Sequence, residues 1–233
     1  WVDPGSRADD GRHKQVTALF ADVVGSMGIA AALDAERLRE IMTDLLERSA
    51  TVARRFGAGS VEHTGDGVMA LFGAPVALED HAFRACLAAL SIQQEANRLA
   101  AEVARRDGLE LRMRVGLNSG LVIVGEIGSG ALGYAATGET VGFAQRMESV
   151  APPGGVMMSE STARLVEHRV ASGEPEWVRI KGAAEPVRAR RLLGVSARQG
   201  LDRPGYSKLV GRRWEMAVLD AVVDRTVGGS GGG

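Results

Sequence analysis

Ser60 to Gly73 reads SVEHTGDGVMALFG. A β-prone run breaks at Thr64-Gly65-Asp66-Gly67 and resumes as Val68-Met69-Ala70-Leu71-Phe72. Asp-Gly between two such runs is a strong short-range hairpin signal, because glycine supplies the positive φ that primed turns require. The stretch is therefore read as a hairpin with a carboxylate at its tip and Glu62 as a solvent-facing strand residue. Aspartate also occurs in turns for a purely local reason, since its side chain bonds the adjacent backbone. A second acid shifts the balance: Asp22 ends the strand-like run Val16-Thr17-Ala18-Leu19-Phe20-Ala21. Two acids in such settings suggest a divalent metal site.

Working outward, residues 1–14 are polar, contain Pro4 and Gly5 and show no periodicity, so a mobile leader is expected with the domain beginning near Gln15. Asp34 is placed to cap a helix from about Asp34 to Phe56, with Leu38, Ile41, Leu45, Val52 and Phe56 along one face. A second long helix is read from Glu79 to Arg106, with Ala85, Ala89, Ile92, Ala96, Leu99 and Val103 stepping by four and three. Leu111, Met113, Val115 and Leu117 alternate as a half-buried strand. Asn118-Ser119-Gly120 reads as a turn into another strand over Leu121 to Ile127, giving a second antiparallel pair.

Gly125, Gly128, Gly130 and Gly133 make the next segment loop-like. They could cradle a phosphate, but they match no known phosphate-loop or dinucleotide fingerprint. Thr140 to Val150 reads as a helix ending before Pro152-Pro153-Gly154-Gly155. A short strand at Val156 to Met158 and a helix capped by Ser159 and running to His168 follow. A last hairpin, Glu176 to Ile180 with Val187 to Leu193, turns at Lys181-Gly182. Strands and helices in this order imply an α+β sheet domain.

The 233 residues are 45% apolar, enough to bury a full core. A net charge of −1 leaves no electrostatic footprint for nucleic acid or a membrane surface. A nucleic-acid polymerase palm, which shares hairpin acids, lacks here the basic track it would need. The single cysteine, Cys86, excludes an internal disulfide framework and fits a reducing cytoplasm. No apolar run approaches the length of a membrane span, so no membrane partner is expected within the fragment. Of 28 basic residues only Lys14, Lys181 and Lys208 are lysine, which makes each worth attention.

Four motifs together resemble the class III nucleotidyl cyclases: FADVVGS at 20–26, TGDGVMALFG at 64–73, GLNSG at 116–120 and GETVGFAQRMES at 138–149. The resemblance runs from about Val16 to Val195. It implies the cyclase fold, a ferredoxin-like βαββαβ core with a mainly antiparallel sheet and flanking helices. Residues 15–195 would be the catalytic domain and 196–233 a linker with the start of a following module, since Leu209-Val210-Gly211-Arg212 resembles the opening of signalling ATPases. The implied reaction is attack of a purine nucleotide's ribose 3′-oxygen on its α-phosphorus, yielding a 3′,5′-cyclic monophosphate and pyrophosphate for second-messenger signalling. By that resemblance Asp22 and Asp66 hold two Mg²⁺ or Mn²⁺ ions with the Val23 carbonyl as a further ligand. The family works as a head-to-tail homodimer with shared active sites. Arg146 then corresponds to the arginine that stabilises charge on the α-phosphate, and Lys181 to the lysine of the terminal phosphates. Without the resemblance both are ordinary surface cations.

Three positions depart from the adenylyl pattern. Glu62 stands where adenylyl enzymes commonly place a lysine on adenine, and it resembles the glutamate of guanylyl cyclases. An ionised carboxylate accepts but cannot donate, which suits guanine N1–H and N2–H₂. Ala135 stands at the partner base-reading position and offers no hydrogen bond, so weak discrimination between ATP and GTP is expected. Gly142 replaces the asparagine that orients the ribose, and loss of positioning predicts slow turnover. The alternative to an enzyme is a catalytically degenerate, nucleotide-sensing dimerisation module acting on a downstream domain.

Overall fold

The computed structural model describes residues 12–126, 134–137 and 139–196. The elements run β1 (Arg12–Val23), α1 (Ser26–Ala32), α2 (Ala35–Arg55), β2 (Ser60–His63), β3 (Gly67–Phe72), α3 (His81–Asp107), β4 (Met113–Glu126), β5 (Tyr134–Thr137), α4 (Glu139–Val150), β6 (Val156–Ser159), α5 (Glu160–Val166), β7 (Val170–Ser172), β8 (Glu176–Val178) and β9 (Val187–Val195). The sheet has the order β2-β3-β1-β4-β6-β9-β7, with β5 added on β4 and β8 on β9. Every pairing is antiparallel except β4 with β6. The fold is the α+β class expected from the order of elements.

Side-chain alternation along β1 divides the molecule into two layers. Leu19, Ala21 and Val23 face α2 and α3 and belong to the large core with Ile41, Leu45, Phe56 and Ile92. Each fully buried side chain of this size contributes about 1.5–3 kcal/mol. Val16 and Ala18 face the other way, onto Ala144 and Val141 of α4. The Asp34 carboxylate caps α2 by accepting from the Glu36 and Arg37 N–H groups at 3.1 and 2.8 Å, as the sequence predicts. Gln93 of α3 donates to the carbonyls of Met113 and Gly155 at 3.1 and 2.9 Å, tying the helix to the sheet.

Several expectations are corrected. Asn118-Ser119-Gly120 is not a turn, and the two strands expected around it are the single strand β4. Twelve consecutive residues of β4, from Met113 to Val124, pair with β1. The polar side chains that suggested a turn are taken up by the flanking helices. Asn118 Nδ2 donates to the Thr140 carbonyl at 2.8 Å on one face, and the Ser119 hydroxyl lies between those of Thr17 and Thr162 at 2.7 and 2.9 Å on the other. Arg12 to Lys14, expected in the leader, belong to β1 because Val124 to Val122 give them backbone partners. Short elements α1, β5 and β7 were not expected. Helix α5 stops at Val166 rather than His168, and β8 stops at Val178 rather than Ile180. The expected leader over 1–11, the glycine-rich loop at 127–133 and the linker over 197–233 lie outside the described residues. Among the described residues no helix is long and apolar enough to cross a membrane.

Candidate active site

The hairpin anticipated at Ser60 to Gly73 is present, with β2 and β3 paired antiparallel and the Thr64 N–H bonded to the Gly67 carbonyl at 2.9 Å. Gly65, at φ +79°, makes the turn that presents Asp66. Strand β3 lies against β1 with Gly67 opposite Asp22, so the turn acid and the strand acid meet at one end of the sheet. The Ser26 hydroxyl at the start of α1 donates to Asp66 Oδ2 at 2.6 Å and fixes that carboxylate.

Gly67 is required here for space. A Cβ on it would sit 2.6 Å from the Ala21 carbonyl oxygen and 3.0 Å from Asp22 Oδ1. Asp22 Oδ1 is buried and has no hydrogen-bond partner among the described residues. Burial, and after it the Asp66 carboxylate alongside, raises the Asp22 pKa, while the Val23 N–H partly offsets the rise. An orphaned, buried carboxylate oxygen beside a second carboxylate is costly unless something positive joins it. Two adjacent carboxylates are hard oxygen donors of the kind suited to Mg²⁺ or Mn²⁺. Among the described residues no third His, Cys, Asp or Glu completes a three-ligand cluster with them. The residues present fit a divalent cation held by the two acids.

Two charged residues missed at the level of sequence complete this face. Arg114 stands directly opposite Asp22 on β4, and its Nε lies 3.1 Å from Oε1 of Glu148 on α4. Burial raises the Glu148 carboxyl to about 7 against the opposing pull of Arg114. The signals were available. Arg114 falls between the core residues Met113 and Val115, which places it on the Asp22 face. Glu148 occupies the apolar stripe Val141, Ala144, Glu148, where an acid is out of place.

A second group forms on the far side of α4. The Arg146 Nη2 lies 3.9 Å from where a Cβ would stand on either Gly142 or Gly182. The structure therefore brings Arg146 to the turn that carries Lys181, whose side chain is exposed. Gly142 leaves open space one turn before Arg146. Glu62 lies on the edge strand β2 opposite Met69, on the same sheet face as Asp22 but two strands away and exposed. Ala135 stands on β5 opposite Gly125, with its side chain outside the description. The base-reading and phosphate candidates are thus separate from the acids within one chain.

Residues 9–189 match the family model for the adenylate and guanylate cyclase catalytic domain. The chain belongs to this family. It is 29% identical over 204 residues to guanylate cyclase soluble subunit beta-2 of Rattus norvegicus, covering 86% of this chain and 29% of that protein. Among solved structures, the guanylyl cyclase Cya2 superposes with a TM-score of 0.74 at 28% identity, over 82% of this chain and 97% of that one. The guanylate cyclase domain of RhGC from Catenaria anguillulae, in complex with GTP, gives 0.69 at 26% identity over 79% and 100%. The chain spans between 10% and 29% of the length of the curated cyclase relatives it matches. Cyclase-family membership accounts for the shared fold and for the four motifs in order.

Proposed function

We propose that the chain is a purine nucleotide cyclase that converts ATP or GTP to the 3′,5′-cyclic monophosphate and pyrophosphate, and that it acts as a homodimer with two shared active sites in the cytoplasm. The observation that carries this is the buried, unpartnered Asp22 Oδ1 beside Asp66. Two bound Mg²⁺ or Mn²⁺ ions would lower the pKa of the ribose 3′-hydroxyl and neutralise the triphosphate. Asp22, Asp66 and the Val23 carbonyl are the residues that would hold them.

The remaining work falls to Arg146 and Lys181, donors on a separate part of the surface. A second copy brings them opposite the acids. Arg146 then neutralises charge that grows on the α-phosphate as the 3′-oxygen attacks, a contribution of about 2.7–4 kcal/mol for a preorganised donor. Lys181 binds the terminal phosphates and offsets the charge of the pyrophosphate that leaves. Glu62 accepts from guanine, which favours GTP, and the bound GTP of the Catenaria domain is in keeping with that choice. Ala135 adds no discrimination, so ATP remains a substrate.

Purified protein incubated with Mn²⁺ and either nucleotide, with products separated by chromatography, tests the reading, with Asp66→Ala as control. Cyclic product that disappears in Asp66→Ala supports it; no cyclic product from either nucleotide at high protein concentration overturns it. A second reading rests on Gly142, which presents no side chain to orient a ribose beside Arg146. On that reading the domain binds nucleotide and dimerises without turnover, regulating a downstream domain, and nucleotide raises its stability while no product forms.

A further inference from the structure

A run of hydroxyl groups, buried from Thr17 to Ser159, passes through the sheet to the first turn of α4. His81 Nδ1 lies 2.7 Å from Thr17 Oγ1, Thr17 Oγ1 lies 2.7 Å from Ser119 Oγ, and Ser119 Oγ lies 2.9 Å from Thr162 Oγ1. Thr162 Oγ1 is 3.2 Å from Ser159 Oγ, which is 2.9 Å from Ser161 Oγ. Ser161 ends the run by donating to two oxygens, the Ser119 carbonyl at 2.8 Å and Asn118 Oδ1 at 3.0 Å. A hydroxyl has one proton and a carbonyl only accepts, so the direction of every bond follows from this end. Ser161 has given up its proton and accepts from Ser159. Ser159 in turn accepts from Thr162, Thr162 from Ser119, Ser119 from Thr17 and Thr17 from His81. The neutral His81 ring therefore carries its proton on Nδ1.

The same asparagine holds α4. With Oδ1 taken by Ser161, the Asn118 amide presents Nδ2 to the Thr140 carbonyl at 2.8 Å; a flipped amide would set oxygen against oxygen there. Thr140 Oγ1 adds a bond to the Leu121 carbonyl at 2.7 Å. Helix α4 thus meets β4 at two places, the close seat of Ala144 and Glu148 on Gly116 and this tie at its first turn. One contact leaves a helix free to pivot, whereas two set its direction.

We propose that Asn118 is a positioning residue that sets the direction of α4 and so the place of Arg146, and that the one-way hydroxyl run holds the Asn118 amide in the orientation this requires. The consequence for Arg146 rests on its reading as the donor to the α-phosphate; the run and the tie to α4 stand without it. Asn118 acts on the nucleotide only through α4.

Backbone hydrogen exchange and the ¹⁵N shifts of the His81 ring, both read without nucleotide, test the run and the tie. At about pH 8, where imidazole is neutral, His81 is expected to show a protonated Nδ1 and a bare Nε2, its signals picked out from those of the four histidines by their loss in His81→Gln. A ring protonated on Nε2 overturns the one-way run. Asn118→Ala removes the tie and is expected to speed exchange about tenfold in α4 while α2 and α3 keep their rates, the effect of one buried hydrogen bond. Unchanged exchange in α4, or a rise shared equally by all three helices, overturns the positioning role. Ser161→Ala is a milder change at the exposed end of the run. It should speed α4 exchange in the same sense and give His81 a mixture of tautomers, while Ser161→Thr keeps the hydroxyl and both unmodified readings; a His81 ring indifferent to Ser161→Ala overturns the coupling along the run. In the cyclase assay Asn118→Ala is expected to lower kcat by up to about 100-fold at nearly constant KM, the loss expected of a misplaced group. An unchanged kcat with α4 loosened overturns the consequence for Arg146. If the unmodified protein forms no cyclic product, the proposed function fails, and exchange and ring shifts still decide the tie and the run.

Discussion

Gly116 on β4 carries the backbone of α4 at Glu148: a methyl group at Gly116 would stand 2.0 Å from the Glu148 nitrogen and 2.3 Å from the Ala144 carbonyl oxygen. Both neighbours are main chain, so neither can rotate away, and the helix itself would have to lift. Gly116→Ala is expected to cost about 3 kcal/mol, at the upper end of overpacking penalties. It should also displace Arg146 and Glu148 together, since both ride on α4. Gly28→Ala in α1 is the control, because a Cβ there meets nothing within 4 Å and alanine is the better helix former by about 1 kcal/mol. Urea unfolding of the two variants measures the contrast, and equal midpoints would refute the close-seating account.

Asp22 sits in the folded protein with its pKa raised, first by burial and then by Asp66. For an acid the sign follows directly: the folded state favours the protonated form, so stability falls as pH rises from the unfolded pKa through the folded one. Near neutral pH in chelator the raised pKa of Asp22 therefore costs stability, and Asp22→Asn is expected to stabilise the metal-free protein. With Mn²⁺ at a hundred times its dissociation constant, the unmodified protein should gain about 2.7 kcal/mol, and Asp22→Asn should gain little. Thermal melts with chelator and with Mn²⁺ measure both effects. Asp22→Asn less stable than the unmodified protein in chelator, or equally responsive to Mn²⁺, contradicts the assignment.

The hairpin and the acid pair were legible because their chemistry is local. Gly65 and Gly67 flank Asp66, and the apolar run after them is a central strand buried along its whole length. Helices α2 and α3 were legible from their apolar periodicity and from the Asp34 cap. The misreading of β4 arose where local signals were overruled by packing. Asn118, Ser119 and Gly120 carry turn chemistry, yet each meets a demand set by another element. Asn118 serves the Thr140 carbonyl, Ser119 joins a hydroxyl chain to Thr162, and a Cβ on Gly120 would crowd Thr140 Oγ1 at 2.7 Å. Arg114 and Glu148 each left a local signal, but neither signal names the other residue. Their meeting depends on how α4 settles on β4, which no window along the chain contains.

His81 is buried at the start of α3 with its Nδ1 2.7 Å from the Thr17 hydroxyl, and burial lowers its pKa from the usual 6.5. The folded protein thus favours the neutral imidazole. As pH falls below about 6.5 the unfolded chain takes up a proton that the folded one refuses, so stability is lost towards acid. Glu148, raised to about 7, acts in the opposite sense and gains stability as pH falls from 7 towards 4.5, which can hide the histidine in the unmodified protein. The difference between the unmodified protein and His81→Gln isolates it. That difference in urea midpoint should shift in favour of His81→Gln between pH 7.5 and 5.5; a constant difference would falsify the assignment.

Glu62 permits a clean test of base selection because little of the fold depends on it. It is exposed on the edge strand β2 and, among the described residues, receives only a long hydrogen bond from the Ser60 hydroxyl at 3.4 Å. Surface substitutions of this kind stay within about 0.5 kcal/mol, so a change in substrate use can be assigned to the nucleotide. Glu62→Lys exchanges an acceptor for a donor and should move the ratio of cyclic AMP to cyclic GMP towards cyclic AMP. A single hydrogen-bonding group in a site without a partner at Ala135 is expected to shift the ratio by about tenfold, the equivalent of about 1.4 kcal/mol. Product ratios from mixed ATP and GTP, measured with unfolding midpoints on the same samples, provide the check. An unchanged ratio with an unchanged midpoint means that Glu62 does not face the base.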